Sequence, residues 1–287
     1  MKSLKEQIFE AEEKKVAIGH FNISNLEAYW AIVNASKNLN LPIIIGVSEG
    51  ERNFVGAKQI KKLVDSVRED GLPIYLNADH TYTLDGIREV VSLSYDEAII
   101  DAADKPLEDN IKMVKDAVLI RNTLNKDVLI EAELGFIGKS SKILDEIPEG
   151  AEFSDEMMTK PEEAKEFVEE TKIDLLAPAV GNIHGMVKGG HNPKINIERI
   201  RDIKKATKIP LVLHGGSGIT DEEFKGAIEA GISIIHINTE LRIAFKEAIK
   251  ESLQNMPDEV APYKYMSHAV EKMQNVIEYR LKVFNNL

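Results

Sequence analysis

Eight short apolar runs of β-type sequence alternate with segments of helical period along 287 residues, and this predicts an α/β fold, a (β/α)8 TIM barrel. The runs are near-continuous Ile, Leu, Val and Ala, as strands buried on both faces require. Nothing along the chain marks a second domain, so residues 1–287 read as a single barrel. An open, doubly wound sheet is the competing architecture and fits less well.

The strands are read at 16–22, 42–48, 73–79, 97–101, 127–134, 175–181, 210–214 and 232–238. Segments 58–68 and 108–124 carry helical period between them. Thr220 stands as an N-cap before Asp221-Glu222-Glu223, which opens the helix preceding the eighth strand. One connection departs from this rhythm. Residues 136–160 are polar and irregular, with Gly138-Lys-Ser-Ser-Lys142 followed by Asp145-Glu-Ile-Pro-Glu-Gly150. A structureless loop of that length just after a strand reads as a mobile lid. Beyond the eighth strand, 265–284 forms an extra C-terminal helix suited to an oligomer contact or a cover for the barrel.

The net charge of -12 excludes nucleic acid and anionic membranes as partners, since an acidic surface attracts neither. No hydrophobic stretch is long enough to span a bilayer, and Met1-Lys-Ser-Leu-Lys-Glu6 has no signal-peptide apolar region, so a cytoplasmic protein is expected. The chain has no cysteine, so any zinc must rely on histidine and carboxylate ligands.

Three histidines end apolar runs: His80 in Pro73-Ile-Tyr-Leu-Asn-Ala-Asp-His80, His184 in Leu175-Leu-Ala-Pro-Ala-Val-Gly-Asn-Ile-His184, and His214 in Pro210-Leu-Val-Leu-His214. In a parallel barrel these ends form the active face, and three converging imidazoles suffice to hold a metal with one position open. Any one of these histidines taken alone reads as a core residue. A strand alternates its faces, so Asp79 and His80 cannot both point inward, and the chain is expected to leave the strand there. Beside the histidines, Gly185, Gly215, Gly216 and Ser217 offer N–H groups and a hydroxyl to an anion. Asn238 and Thr239 follow the eighth strand, where phosphate-binding barrels use a helix N-terminus, and Lys188 can add charge. A metal beside a phosphate site points to metal-assisted chemistry on a phosphorylated small molecule.

Several motifs occur in order: Asn77-Ala-Asp-His-Thr81, Glu131-Ala-Glu-Leu-Gly135, Gly181-Asn-Ile-His-Gly185, Leu213-His-Gly-Gly-Ser-Gly218 and Ile237-Asn-Thr-Glu-Leu-Arg242. With Phe21-Asn-Ile-Ser-Asn25 and Lys188 spaced after His184, the set resembles the zinc-dependent class II fructose-bisphosphate and tagatose-bisphosphate aldolases over about residues 4–284. The resemblance implies a glycolytic lyase, a homodimer or homotetramer. It would reversibly cleave a ketose bisphosphate, fructose 1,6-bisphosphate first, to dihydroxyacetone phosphate and glyceraldehyde 3-phosphate. It further implies Zn2+ on His80, His184 and His214, with room for a monovalent cation besides. The metal acts as a Lewis acid that stabilises the enediolate. Asp79 becomes the acid/base on the aldehyde-derived oxygen. Glu133 becomes an alternative ligand or the partner that orients an imidazole. Asn22, Ser48 and His236 become further substrate contacts. No lysine lies inside an apolar strand, which disfavours a Schiff base.

Three positions depart from the family pattern. His236 stands where an asparagine usually contacts substrate near the reacting carbons. Gly138-Lys-Ser-Ser-Lys142 replaces Gly-Gly and two acids, one of which moves the enolate proton, so Asp145 and Glu146 become the next candidates. Ala261-Pro262-Tyr263 replaces Asp-Pro-Arg, whose arginine binds the second phosphate, often from a neighbouring subunit. His191 and His268 read as surface residues, and His20 replaces a small residue; none is assigned a role. The departures keep open a family aldolase with a non-phosphorylated aldehyde half and a non-catalytic sugar-phosphate-binding protein. A barrel metallohydrolase is the weaker rival, since it favours a His-x-His pair on the first strand and only His20 lies there.

Overall fold

The computed structural model describes residues 1–135, 137–138, 143–145, 158–188 and 192–287. Its strands are β1 (Ile18–Asn22), β2 (Ile43–Gly46), β3 (Ile74–Thr81), β4 (Glu97–Ile100), β5 (Leu129–Leu134), β6 (Ile143–Leu144), β7 (Leu175–Pro178), β8 (Met186–Val187), β9 (Leu211–Leu213) and β10 (Ile232–Ile237). Eight of them close a parallel barrel in the order β1-β10-β9-β7-β5-β4-β3-β2. Closure rests on β1, which is paired on both sides: Phe21 lies opposite Ile45 of β2 and Ile237 of β10. An open sheet would leave that edge bare, so the doubly wound alternative is set aside.

All eight strands read from sequence are present, and their ends shift for local reasons. The first starts at Ile18 because the Ala17 N–H is taken by the Phe284 carbonyl of the last helix. The fifth starts at Leu129 because the Asn125 side chain accepts from Asp127 N and turns the chain. The sixth stops at Pro178, a residue with no N–H for the ladder, so His184 lies in the loop beyond it rather than at a strand terminus. The seventh is only Leu211–Leu213, with His214 just past its end. The third corrects the expectation of a chain leaving the sheet. β3 continues through His80 to Thr81, and its register against β4 shifts between Ala78 and Thr81. His80 takes φ 42, a left-handed conformation that resets the alternation.

The helices at 58–68 and 108–124 appear as Ala57–Glu69 and Leu107–Leu124. Thr220 and Glu223 form a reciprocal capping box on Asp221–Ala230. The C-terminal helix is Ser267–Phe284, preceded by the short turn Pro262–Tyr265. Most of the proposed lid lies outside the described residues, but its Ile143–Leu144 pairs parallel with Met186–Val187, so it is not structureless throughout. Among the described residues, no helix is long and apolar enough to cross a membrane.

Strand alternation sorts the barrel interior into levels. Ile18, Ile44, Tyr75, Leu129, Leu175, Val212 and Ile234 form an apolar floor, against which Leu4, Ile8 and Ala11 of the capped helix Leu4–Lys14 pack. Two residues further along, five of these strands turn polar on the same face, at His20, Asn77, Glu131, His214 and His236; Glu97, register partner of Asn77, joins them, and all six are buried. The apolar side chains on the outer faces join the larger core beneath the helices. An apolar floor thus lies beneath a polar interior, above which a cavity is lined by residues at the C-terminal strand ends.

Candidate active site

The bulge in β3 aims two successive side chains at one place. Arg52, 5% exposed, holds it there: Nη1 donates to the carbonyls of Val47 (2.6 Å) and Asp79 (3.1 Å), and Nη2 donates to Thr81 Oγ1 (2.8 Å). His80 is turned by Asp101, whose Oδ2 lies 2.9 Å from Nδ1. Across the barrel, His184 and His214 face it; ring centroids stand 4.9 Å, 5.2 Å and 5.6 Å apart in the three pairs. Glu133 at the end of β5 lies between them, with Oε1 beside His214 Nδ1 and 3.5 Å from His184 Nε2. His80, Glu133, His184 and His214 each offer a ligand atom, all within 4.8 Å of one another.

The charges are mutually fixed. Burial disfavours a charged His80, but Asp79, Asp101 and Glu133 outweigh it and raise the ring to about 9. His214 is likewise raised well above the usual range against burial, by Glu131, 2.7 Å from Nε2, and by Glu133. Burial opposes ionisation of Glu133 as well, yet the histidines, His214 foremost, hold it well below the usual carboxylate range. His184 is lowered by burial and stays a neutral imidazole. Asp79 is buried too, and His80, His20 and His214 nevertheless draw it to about 2. Asn22 Nδ2 donates to its Oδ2 at 2.7 Å, while Oδ1 is buried without a hydrogen-bond partner. Beneath them Glu97, deeply buried beside Glu131, is pushed well above the usual carboxylate range.

One cavity collects most residues singled out from sequence: Asn22, Ser48, Asp79, His80, His184, Gly185, Gly215, Ser217, His236, Asn238 and Thr239 line it. Gly215 adopts φ 63, and a Cβ there would fall 2.1 Å from the Ile183 carbonyl, so only glycine brings that backbone to the cavity. Ser217 Oγ accepts from the N–H groups of Asn238 and Glu240, both at 3.3 Å, tying it to the start of helix Thr239–Asn255. Glu133 and His214 lie just below the lining. Two residues stand elsewhere. Gly216 gives its N–H to the His236 carbonyl (3.0 Å), and Lys188, 74% exposed at its side chain, pairs with Asp145 at 3.2 Å. Tyr263 is 76% exposed and does not line the cavity. Glu146 and His191 lie outside the described residues.

Sequence reasoning left His20 unassigned, and the structure buries it at the centre of the barrel. Its ring stacks on His236, which stacks in turn on His214 at 4.2 Å. Arg52, Asp101, Glu131, Glu97 and Arg242 were also not singled out. Period-two counting back from Glu133 gives Glu131, and Asp101 ends its strand as Asp79 nearly ends its own. Nothing local marks Arg52.

A closed parallel barrel with a histidine–carboxylate cluster under a cavity at the C-terminal strand ends defines a TIM-barrel enzyme site able to hold a metal ion. The family model for fructose-bisphosphate aldolase class-II matches residues 2–287. A fructose-bisphosphate aldolase of Staphylococcus aureus (strain Mu50 / ATCC 700699) is 35% identical over 286 residues, 98% of this chain and 96% of that protein. A probable fructose-bisphosphate aldolase of Bacillus subtilis (strain 168) is 34% identical over 288 residues, 99% and 97%. Among solved structures, the YdjI aldolase from Escherichia coli K12 superposes with a TM-score of 0.80 at 26% identity, covering 99% of this chain and 96% of that one. The chain belongs to the class II fructose-bisphosphate aldolase family and is a carbon–carbon lyase. The family implies a metal, and the donor set fits one: His184 Nε2 is buried with no hydrogen-bond partner, aimed among donors suited to a divalent ion.

Proposed function

We propose that the chain is a zinc-dependent aldolase acting on a ketose bisphosphate, fructose 1,6-bisphosphate first. It would release dihydroxyacetone phosphate and glyceraldehyde 3-phosphate reversibly. The observation that carries this reading is the juxtaposition of Asp79 with the His80–Glu133–His184–His214 cluster, Asp79 Oδ1 lying 3.7 Å from His80 Nε2. A zinc ion bound there supplies positive charge that draws electron density toward the substrate carbonyl. In cleavage, Asp79, ionised and without a hydrogen-bond partner at Oδ1, takes the proton of the C4 hydroxyl as the C3–C4 bond breaks. The bonding pair passes into the dihydroxyacetone phosphate half as an enediolate, which a proton at C3 then quenches. Gly185, Gly215, Ser217, Asn238 and Thr239 hold that half by its phosphate. Lys188 and Gly216 contribute only if the loops move toward them on binding. Asn22, Ser48 and His236, which line the cavity, meet the remainder of the sugar. Asp145, outside that lining and paired with Lys188, is the candidate to deliver the C3 proton once it moves in on binding.

Cytoplasmic location, one barrel domain, a homodimer or homotetramer and an accompanying monovalent cation belong to the proposal by family resemblance. The exposed Tyr263 favours, as a second reading, an aldehyde half without phosphate.

Purified protein should cleave fructose 1,6-bisphosphate, lose activity on chelation and regain it with zinc. Asp79→Asn should keep bound zinc and lose cleavage about 10²–10⁴-fold. Full activity after verified metal removal, or an Asp79→Asn variant within a few-fold of wild type, would count against these roles.

A further inference from the structure

We propose that Arg280, on the C-terminal helix Ser267–Phe284, is a positioning residue that holds the two halves of the phosphate site at fixed spacing; this rests on the phosphate site of the aldolase reading above. One half is the loop 215–218, which runs into helix Asp221–Ala230. The other is Asn238 with Thr239, where helix Thr239–Asn255 begins. The halves leave paired strands, β9 and β10, and both contribute to the cavity lining.

One guanidinium spans the pair. Arg280 Nε donates to Glu240 Oε2 at 2.8 Å and Nη2 to Glu240 Oε1 at 2.7 Å, a two-point fork, while Nη1 donates to Asp221 Oδ1 at 2.9 Å. Glu240 in turn holds the loop by side chain and backbone at once. Its Oε1 accepts the Gly218 N–H at 2.9 Å, and its own N–H is given to Ser217 Oγ at 3.3 Å. The C-terminal helix is thus linked to the loop through a single carboxylate. The Arg280 side chain is 11% exposed and lies over the Phe224 ring at 5.1 Å, so packing fixes it as well as charge. Tyr279 gives its hydroxyl to the other Asp221 oxygen.

Charge gives this clamp a bearing on an anion. Asp221 and Glu240 each lie in the first turn of a helix, where a carboxylate suits the helix dipole. A substrate phosphate draws on the same positive end, so two uncompensated carboxylates there would repel it. Arg280 pairs with both while standing outside the cavity lining. It therefore acts through the loop and helix starts it fixes, without touching substrate.

The test is condensation of dihydroxyacetone phosphate with glyceraldehyde by the zinc-loaded enzyme, with KM for dihydroxyacetone phosphate and kcat read separately. Arg280→Met keeps the aliphatic volume over Phe224 and removes the donors. It should raise that KM about tenfold. Bound zinc and kcat at saturation should stay within about threefold of wild type, the pattern of lost ground-state binding. Arg280→Lys, a point charge without the fork, should fall between, and it decides the question if the methionine variant does not fold. Ile277→Val, on the buried face of the same helix, should lower stability to urea and leave KM unchanged. Arginine variants that lose stability at an unchanged KM would make Arg280 a structural tie and overturn the inference alone. A loss of bound zinc with KM unchanged would overturn it equally, by moving the effect to the metal. Absence of any condensation by zinc-loaded wild type would overturn the aldolase reading and this inference with it.

Discussion

His20 and His236, register partners on adjacent strands, lie ring on ring, with centroids 3.5 Å apart and 3° between their planes. Burial lowers His20 to about 4, and burial with the neighbouring imidazoles lowers His236 well below the usual range, so two neutral rings stack. Gly46 makes the space: a Cβ there would fall 2.1 Å from His20 Cε1.

Gly46→Ala should therefore destabilise the protein by about 1–3 kcal/mol, the usual cost of overpacking a filled core. In a His20→Ala background the same change should cost little, because the ring it strikes is gone. Urea denaturation of the four proteins measures the coupling. Additive effects would show that Gly46 and His20 do not restrict each other.

Arg52 is the mechanical support of the β3 bulge. Arg52→Met keeps the aliphatic volume and strips the donors from two buried carbonyls and the Thr81 hydroxyl. The Val47 carbonyl keeps the Asp79 N–H at 3.0 Å, so the main cost is the lost guanidinium bond to the Asp79 carbonyl, about 1–3 kcal/mol. Because the lost bonds flank His80, zinc affinity should fall as well as stability, whereas a purely structural support would lower stability alone. Denaturation together with a competitive chelator titration separates these outcomes.

Zinc affinity should strengthen as pH rises from 6 toward 9. His80, raised to about 9, and His214, raised well above the usual range, hold protons that must leave before their nitrogens can bind a cation. Each displaced proton contributes about tenfold in affinity per pH unit. The sign for the metal-free fold is opposite. A raised histidine stabilises it fully below its ordinary value of 6.5, and that contribution is lost as pH passes about 9. Calorimetry in buffers of different ionisation enthalpy counts the protons released. A pH-independent affinity would mean that these histidines enter the site already neutral.

The sequence by itself determined the eight strands, their alternation with helices, the three histidines at the strand ends and the glycine that approaches the cavity. These are local properties. Burial on both faces writes continuous apolar runs, and a glycine run beside a strand end marks a backbone that can take positive φ, as Gly215 does at 63. It also located Asp79 beside His80 and showed that plain alternation could not aim both inward, but it could not say how the chain resolves the conflict. That was decided by Arg52, reaching from a neighbouring helix to hold the bulge. The register of β1 against β10 decided His20, since ring closure brings the first and last strands side by side. Arg242 acquired its place in the same way, through Glu51 and Asn22 on elements far from it in the chain. Periodicity records which face a residue takes. Which residues share that face across the barrel depends on closure and register, and those exist only once the chain has folded.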